Sequence, residues 1–161
     1  MNRPRPLAVV DIDGVLADVR HRLEFVRSPP KDWDSFFRAA PDDPLLPEGV
    51  AVVTRLAVDH DLLYLSGRPE RCRRDTEEWL DEHRLPAAPV LLRGDRDRRP
   101  ARLTKIAVLQ ELSGEHTIGV LVDDDPAVCA AAQQAGFPVF RATWMSEQAP
   151  LFEAQERDGA T

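Results

Sequence analysis

Cysteine is nearly missing from this chain: only Cys72 and Cys129 occur among 161 residues, and they form no CxxC pair. A disulfide framework or a structural zinc site therefore has no support. Long apolar runs are missing too. No segment approaches the roughly 18 residues of a membrane-spanning helix, and the opening MNRPRPLAVV enters VVDIDG at once, without the apolar stretch of a secretory signal. The expectation is a cytoplasmic protein that meets no membrane. Positive charge is not in excess, since 21 Lys and Arg face 28 Asp and Glu for a formal net charge of -7. That balance argues against nonspecific attraction to nucleic acid or anionic membrane, while leaving room for a local basic site. Also absent is a GxxxxGK[ST] phosphate loop, and with it any sequence sign of ATP-dependent kinase chemistry.

What is present suits one globular domain. The chain is 43% hydrophobic and 30% charged, and its 14 prolines fix many turns. Its length allows a sizeable core but not two large domains. We expect a single domain over residues 1–161, with a small insertion at about 16–48 and disorder confined to the two ends. That insertion is mixed and aromatic, carrying Trp33, Phe36 and Phe37 between two proline-rich pieces, and it reads as an ordered excursion with short helices.

Strand and helix patterns alternate elsewhere. LAVVDID (7–13), LLYL (62–65), PVLLRG (89–94), TIGVLVDDDP (117–126) and FPVFRA (137–142) read as short buried strands. Val50, Val53, Leu56 and Ala57 share one helical stripe. Cys72, Thr76, Trp79 and Leu80 share another, and Leu103, Ile106, Leu109 and Gln110 around Lys105 suggest a third. AVCAAAQQAG reads as a helix stopped by Gly136. The fold class this predicts is α/β: a Rossmann-like, mostly parallel sheet with helices on both faces and a minimal helical insertion.

Such sheets place ligands beyond the carboxyl ends of their strands. Three strands here end in DID, LSGR and VDDD, so residues more than 50 positions apart can converge. Asp11, Asp13, Asp123 and Asp124 together make a hard-oxygen site suited to Mg2+. Asp11, oriented toward phosphorus, could attack in line and form an aspartyl phosphate. Asp13 could protonate the leaving alkoxide and later deprotonate water. Ser66 offers a hydroxyl donor and Lys105 a positive charge to a transferring phosphoryl group. Asp125, extending the acidic run, suits a helix N-terminus.

In this order along the chain, DIDGV (11–15), LYLSGR (63–68), Lys105 and VDD (122–124) resemble the four motifs of the haloacid dehalogenase-like superfamily. The resemblance spans roughly residues 7 to 143. It implies a Mg2+-dependent phosphatase with Asp11 as nucleophile, Asp13 as general acid/base, and Ser66 and Lys105 as phosphate-binding groups. It further implies Asp123 as a direct metal ligand, Asp124 as a direct or water-mediated one, and the main-chain carbonyl of Asp13 as another.

A finer resemblance is to the phosphatase domain of phage-type polynucleotide kinase/phosphatase enzymes. LADVRHRL (16–23), KDWDSFF (31–37), LSGRPERCRRDTEEWLDEH (65–83) and VLLRGDRDRRPARLTKIAVL (90–109) carry it, although the arginine-rich piece departs from the family pattern. It implies a phosphorylated nucleic-acid or nucleotide end as substrate and removal of its 3'-phosphate. Gly67, Arg68, Arg93, Arg99, His21 and Arg22 are then candidate substrate contacts, His21 and Arg22 serving either substrate or insertion. From Arg93 to Lys105, six basic residues face two acidic ones, and Arg71, Arg73 and Arg74 add to Arg68. A positive rim of this kind could hold flanking phosphates. The aromatic trio reads mainly as core of the insertion. Two alternatives stay open: a small phosphomonoester metabolite as substrate, and a binding protein that has lost turnover.

Overall fold

Five apolar segments become the strands of one sheet in the computed structural model, which describes residues 3–145 and 149–160. They are β1 (Leu7–Val10), β2 (Asp61–Pro69), β3 (Val90–Arg93), β4 (Ile118–Asp123) and β5 (Val139–Arg141). Around them lie α1 (Glu24–Arg27), α2 (Trp33–Arg38), α3 (Pro47–Asp59), α4 (Arg73–Glu82), α5 (Ala101–Leu112), α6 (Pro126–Gln134) and α7 (Ala149–Asp158). The strand order is β3-β2-β1-β4-β5, and every neighbouring pair is parallel. None of the helices is long and apolar enough to cross a membrane, among the described residues.

Successive strand residues point to opposite faces, so β1 feeds two cores at once. Val10 joins Tyr64, Val122, Val53 of α3 and Trp79 and Leu80 of α4 on one face. Val9 joins Leu63, Leu121, Leu109 of α5 and Val128 and Ala132 of α6 on the other. Burial on both faces is why the strands read as unbroken apolar runs. Each such side chain contributes about 1.5–3 kcal/mol. The chain builds outward from β1 to β3 and then crosses back to β4 and β5. The order therefore reverses between β1 and β4, where open parallel sheets leave a crevice.

A third core lies beyond the sheet. Val19, Leu23 and Val26 pack with Phe36, Phe37, Leu46, Cys72, Met145 and Leu151, and residues 16–48 contribute the short helices α1 and α2. The sequence reading expects disorder toward both ends, yet α7 packs here through Leu151 and is tied by Lys31 to Asp158 (2.9 Å) and by Arg102 to Glu156 (2.8 Å).

Two element boundaries move for identifiable reasons. Helix α3 starts at Pro47, ahead of the predicted stripe, because proline suits a first helical turn. Strand β2 continues to Pro69, past its predicted end at Leu65, because its pairing with β3 shifts register between those residues. On α5 the predicted stripe is wrong in part: Leu103 is 45% exposed and Gln110 exposed, while Ala101, Lys105 and Leu109 form the buried line. The middle member of that i, i+4, i+8 line is a lysine, which an apolar pattern passes over.

Candidate active site

Strand β1 ends at Val10, and the next residue stays anchored to β4, with the Asp11 N–H donating to the Val122 carbonyl at 2.9 Å. The chain then wraps around the Ile12 carbonyl, which accepts from Val15, Leu16 and Ala17 at 2.8–3.2 Å. Gly14, at φ 78°, makes the turn that only glycine adopts freely. Helix α3 presses on this loop so closely that a Cβ on Gly49 would lie 1.8 Å from the Val15 oxygen. The Trp144 indole N–H donates to that same oxygen at 3.0 Å. A rigid loop thus carries Asp11 and Asp13.

Asp11, Asp123 and Asp124 each place a carboxylate oxygen within 4.8 Å of the others, and all three are buried. Lys105 Nζ reaches from α5 to Asp123 Oδ2 at 2.6 Å and Asp11 Oδ2 at 3.2 Å. Asp123 Oδ1 accepts the Asp125 N–H at 2.9 Å, and the Asp11 Oδ1 accepts the Ile12 N–H at 2.8 Å. Burial pushes Asp11 up to about 7, against the pull of Lys105 and with the help of Asp123 and Asp13. Burial, then Asp11 and Asp123, likewise push Asp124 well above the usual carboxylate range. Burial works against the Lys105 ammonium, but Asp11 and Asp123 outweigh it and hold its pKa above the usual lysine value. Three buried carboxylates against one ammonium form a hard-oxygen cluster that could hold a divalent cation. Asp125 has the expected other role: its side chain accepts the Ala127 N–H at 2.8 Å and caps α6.

Asp13 stands in a second buried centre. Its Oδ1 accepts from Arg68 Nη2 (2.6 Å), Arg68 Nε (3.0 Å) and Arg22 Nη2 (3.0 Å). Its Oδ2 is buried without a hydrogen-bond partner. Burial alone would raise its pKa; Arg68 and Arg22 overcome that and hold it down at about 2. The same two arginines bind Asp43, Arg22 through Nε and Nη2 at 2.7 Å each and Arg68 through Nη2 at 3.1 Å. Arg68 also donates to Thr76 Oγ1 at 3.2 Å, and the Arg22 guanidinium lies 4.3 Å from the Phe36 ring centroid. His21 Nε2 is 2.6 Å from Asp43 Oδ1 at the half-exposed edge of this centre.

Sequence reasoning missed Asp43. It lies in PDDPLLP next to the exposed Asp42, and no pattern distinguishes the two; only the fold turns one inward. The other candidates fall in three groups. Ser66 is buried at the β2 end, its Oγ accepting the Arg68 N–H at 3.1 Å, while Gly67 gives its carbonyl to Arg93 Nε at 3.3 Å. Arg93 is buried and braces the following loop by donating to the Arg99 and Asp97 carbonyls at 2.6 and 3.3 Å. Arg99 faces outward on Asp97 at 2.7 Å.

The basic rim is accordingly smaller than the sequence suggests. Arg68 and Arg93 are interior, Arg73 pairs with Glu70 and Glu77, Arg74 with Glu78, and Arg102 with Glu156. Phe36 and Phe37 belong to the third core, whereas Trp33 stays half-buried, stacked 5.9 Å from Phe37.

A parallel sheet with acids clustered at its switch point and a lysine across them is the arrangement of the haloacid dehalogenase-like hydrolases. The solved structures agree in fold: a haloacid dehalogenase-like family hydrolase from Streptococcus pneumoniae is 15% identical at TM-score 0.60, over 95% of this chain and 92% of that one. A HAD family enzyme from Bacteroides thetaiotaomicron, in complex with magnesium and inorganic phosphate, is 12% identical at TM-score 0.52, over 92% and 99%. More narrowly, the model of the polynucleotide kinase PNKP phosphatase domain matches residues 6–144, and the chain belongs to that family. A chain in the structure of the Pnkp1/Rnl/Hen1 RNA repair complex is 22% identical at TM-score 0.71 over 89% of this chain. This chain spans only 44% of that one's length. No curated protein matches.

Proposed function

We propose that this protein is a Mg2+-dependent phosphomonoester phosphatase that works through an aspartyl phosphate on Asp11 and removes 3'-phosphates from polynucleotide or nucleotide ends. The observation that carries the reaction is the pair of centres at the sheet's switch point. Asp11 lies among carboxylates and Lys105, and Asp13, two residues on, is held apart by Arg22 and Arg68. We take the domain as one unit, with residues 16–48 as a small cap.

The residues that would hold Mg2+ are Asp11, Asp123, Asp124 and the Asp13 carbonyl; bound there, it offsets the carboxylate excess and the charge of the phosphoryl oxygens. Asp13 is a carboxylate in the resting centre, so it first takes up on Oδ2 the proton that a phosphomonoester monoanion brings in. Asp11 then attacks phosphorus, and the ester P–O bond breaks as the leaving oxygen takes that proton from Asp13. Asp13 then removes a proton from water, which attacks the same phosphorus, releases phosphate and regenerates Asp11. The bare Asp13 Oδ2 is the oxygen free for both transfers. Lys105 and Ser66 oppose the charge that develops on the transferring group.

The family match and the likeness to a chain of an RNA repair complex support the 3'-end substrate. A small-metabolite substrate is the second reading, favoured by the pairing of Arg73, Arg74, Arg99 and Arg102 with acids. The test is phosphate release with Mg2+ from matched oligonucleotides bearing a 3'- or a 5'-phosphate, beside nucleotides and sugar phosphates, with Asp11→Asn as control. Preference for the 3'-phosphorylated strand is expected; preference for a small phosphate would transfer the reading to metabolites. Phosphate release by the Asp11→Asn variant at the full rate would remove the nucleophile assignment.

A further inference from the structure

Near the second centre, on the carboxyl-end side of β2 and β3, is a cavity of about 240 Å3 whose lining includes Trp33, Asp34, Phe37, Arg71, Arg98 and Asp158. Its walls come from four places, one of them the end of α7, which supplies Asp158. Trp33 and Phe37 belong to α2; Arg71 lies in the turn that follows β2; Arg98 lies in the loop that follows β3. The Arg71 N–H donates to Asp95 Oδ1 at 2.9 Å and ties the last two together.

Two aromatic rings, Phe37 and Phe36, lie between the cavity and the reaction centre. Phe37 packs edge-on to Phe36 at 5.3 Å, and Phe36 carries on its ring the Arg22 guanidinium whose Nη2 is 3.0 Å from Asp13. The cavity lining combines aromatic rings with arginines. Trp33, half-buried, stacks on Phe37 at an interplanar angle of 24°. Arg71 lies 5.4 Å from the Phe37 centroid and is only loosely paired, 3.5 Å from Asp34 and 4.0 Å from Asp95. Asp158 already has Lys31 at 2.9 Å. Arg98 is exposed.

We infer that this cavity is a nucleotide subsite: a base of the substrate strand, 5' of the scissile phosphate, stacks on Trp33, and Arg98 with Arg71 takes a phosphate of that strand. The inference rests on the 3'-end reading above and names where the strand runs. Aromatic stacking with arginine contact is how proteins hold single strands without reading sequence. At about 240 Å3 the cavity lies below the roughly 300–1,000 Å3 of pockets that enclose a whole small ligand, so it suits part of a strand rather than a separate enclosed molecule. It also explains why Trp33 remains half-exposed while its two aromatic neighbours are core.

The experiment compares the protein with Trp33→Ala, Trp33→Phe and Arg98→Ala on three substrates: a 3'-phosphorylated trinucleotide, the same strand made abasic at each position in turn, and p-nitrophenyl phosphate. Trp33→Ala is expected to raise KM for the intact strand about tenfold, with no further rise on the strand abasic at the stacked position. Trp33→Phe should restore most of the loss. Arg98→Ala should lower the slope of log KM against log salt by about 0.7, the share of one phosphate contact on a single strand. Equal losses on strand and p-nitrophenyl phosphate, or no change in KM on either, overturn the subsite. If the unaltered protein turns over p-nitrophenyl phosphate but not the trinucleotide, the 3'-end reading itself falls and the subsite with it. A preference of the unaltered protein for the strand that all three variants keep overturns the subsite alone.

Discussion

The molecule holds two buried charged centres a few residues apart, and they are built on opposite principles. Around Asp11, Asp123 and Asp124 there are three carboxylates and one ammonium, Lys105. Around Asp13 and Asp43 there are two carboxylates and two guanidiniums, Arg22 and Arg68. The second centre is internally neutral, and its arginine forks satisfy most of its oxygens. The first carries a formal excess of two negative charges, matched in sign and size to one divalent cation. One set is complete in charge and holds geometry; the other is incomplete in charge, an excess that a divalent cation could offset. Two aspartates separated only by Ile12 thus live in different electrostatic worlds.

Substitutions that act on one centre and spare the other test this contrast. The largest effect belongs to the incomplete centre: Asp11→Asn should reduce phosphate release below detection while leaving the melting temperature within a few degrees of the parent, read by circular dichroism. Next is a break in the complete one. Arg22→Met leaves Asp13 and Asp43 short of a buried counter-charge and should destabilise the fold by about 3–5 kcal/mol in urea titration. A loss under about 1 kcal/mol would mean that the centre is not closed as described.

Mg2+ should then raise thermal stability, by about 2.7 kcal/mol at a hundredfold excess over its dissociation constant. Asp123→Asn should erase that gain and Asp43→Asn should keep it; the reverse pattern would exchange the roles of the centres. The smallest effect is at the border. Asp125→Ala removes only the α6 cap, costs about 1 kcal/mol, and should leave the Mg2+ stabilisation in place.

The incomplete centre was readable in the sequence because each of its acids stands where an apolar run stops, and parallel topology gathers strand ends whatever their separation. Lys105 was readable as a motif but not as a buried residue, since its line on α5 runs through Ala101 and Leu109 rather than through the leucine at 103. The complete centre was largely hidden. Arg22 and Asp43 lie 21 residues apart in a segment of short helices and proline turns, where no period marks an inward side chain. Arg68 follows Ser66-Gly67 and reads as a contact for substrate, yet the structure seats it beneath the surface on Asp13. Helix α7 was also missed: it owes its place to the core of the 16–48 segment, which local pattern does not disclose.

Arg22 and Asp43 come from the 16–48 segment, whereas Asp13 comes from the loop after β1 and Arg68 from β2. The small segment is therefore not an interchangeable module. A chimera that transplanted it wholesale from a relative lacking this acid and base pair would strand Arg68 against Asp13 alone. Recombination between such proteins should succeed only at crossover points that carry both halves of the quartet together.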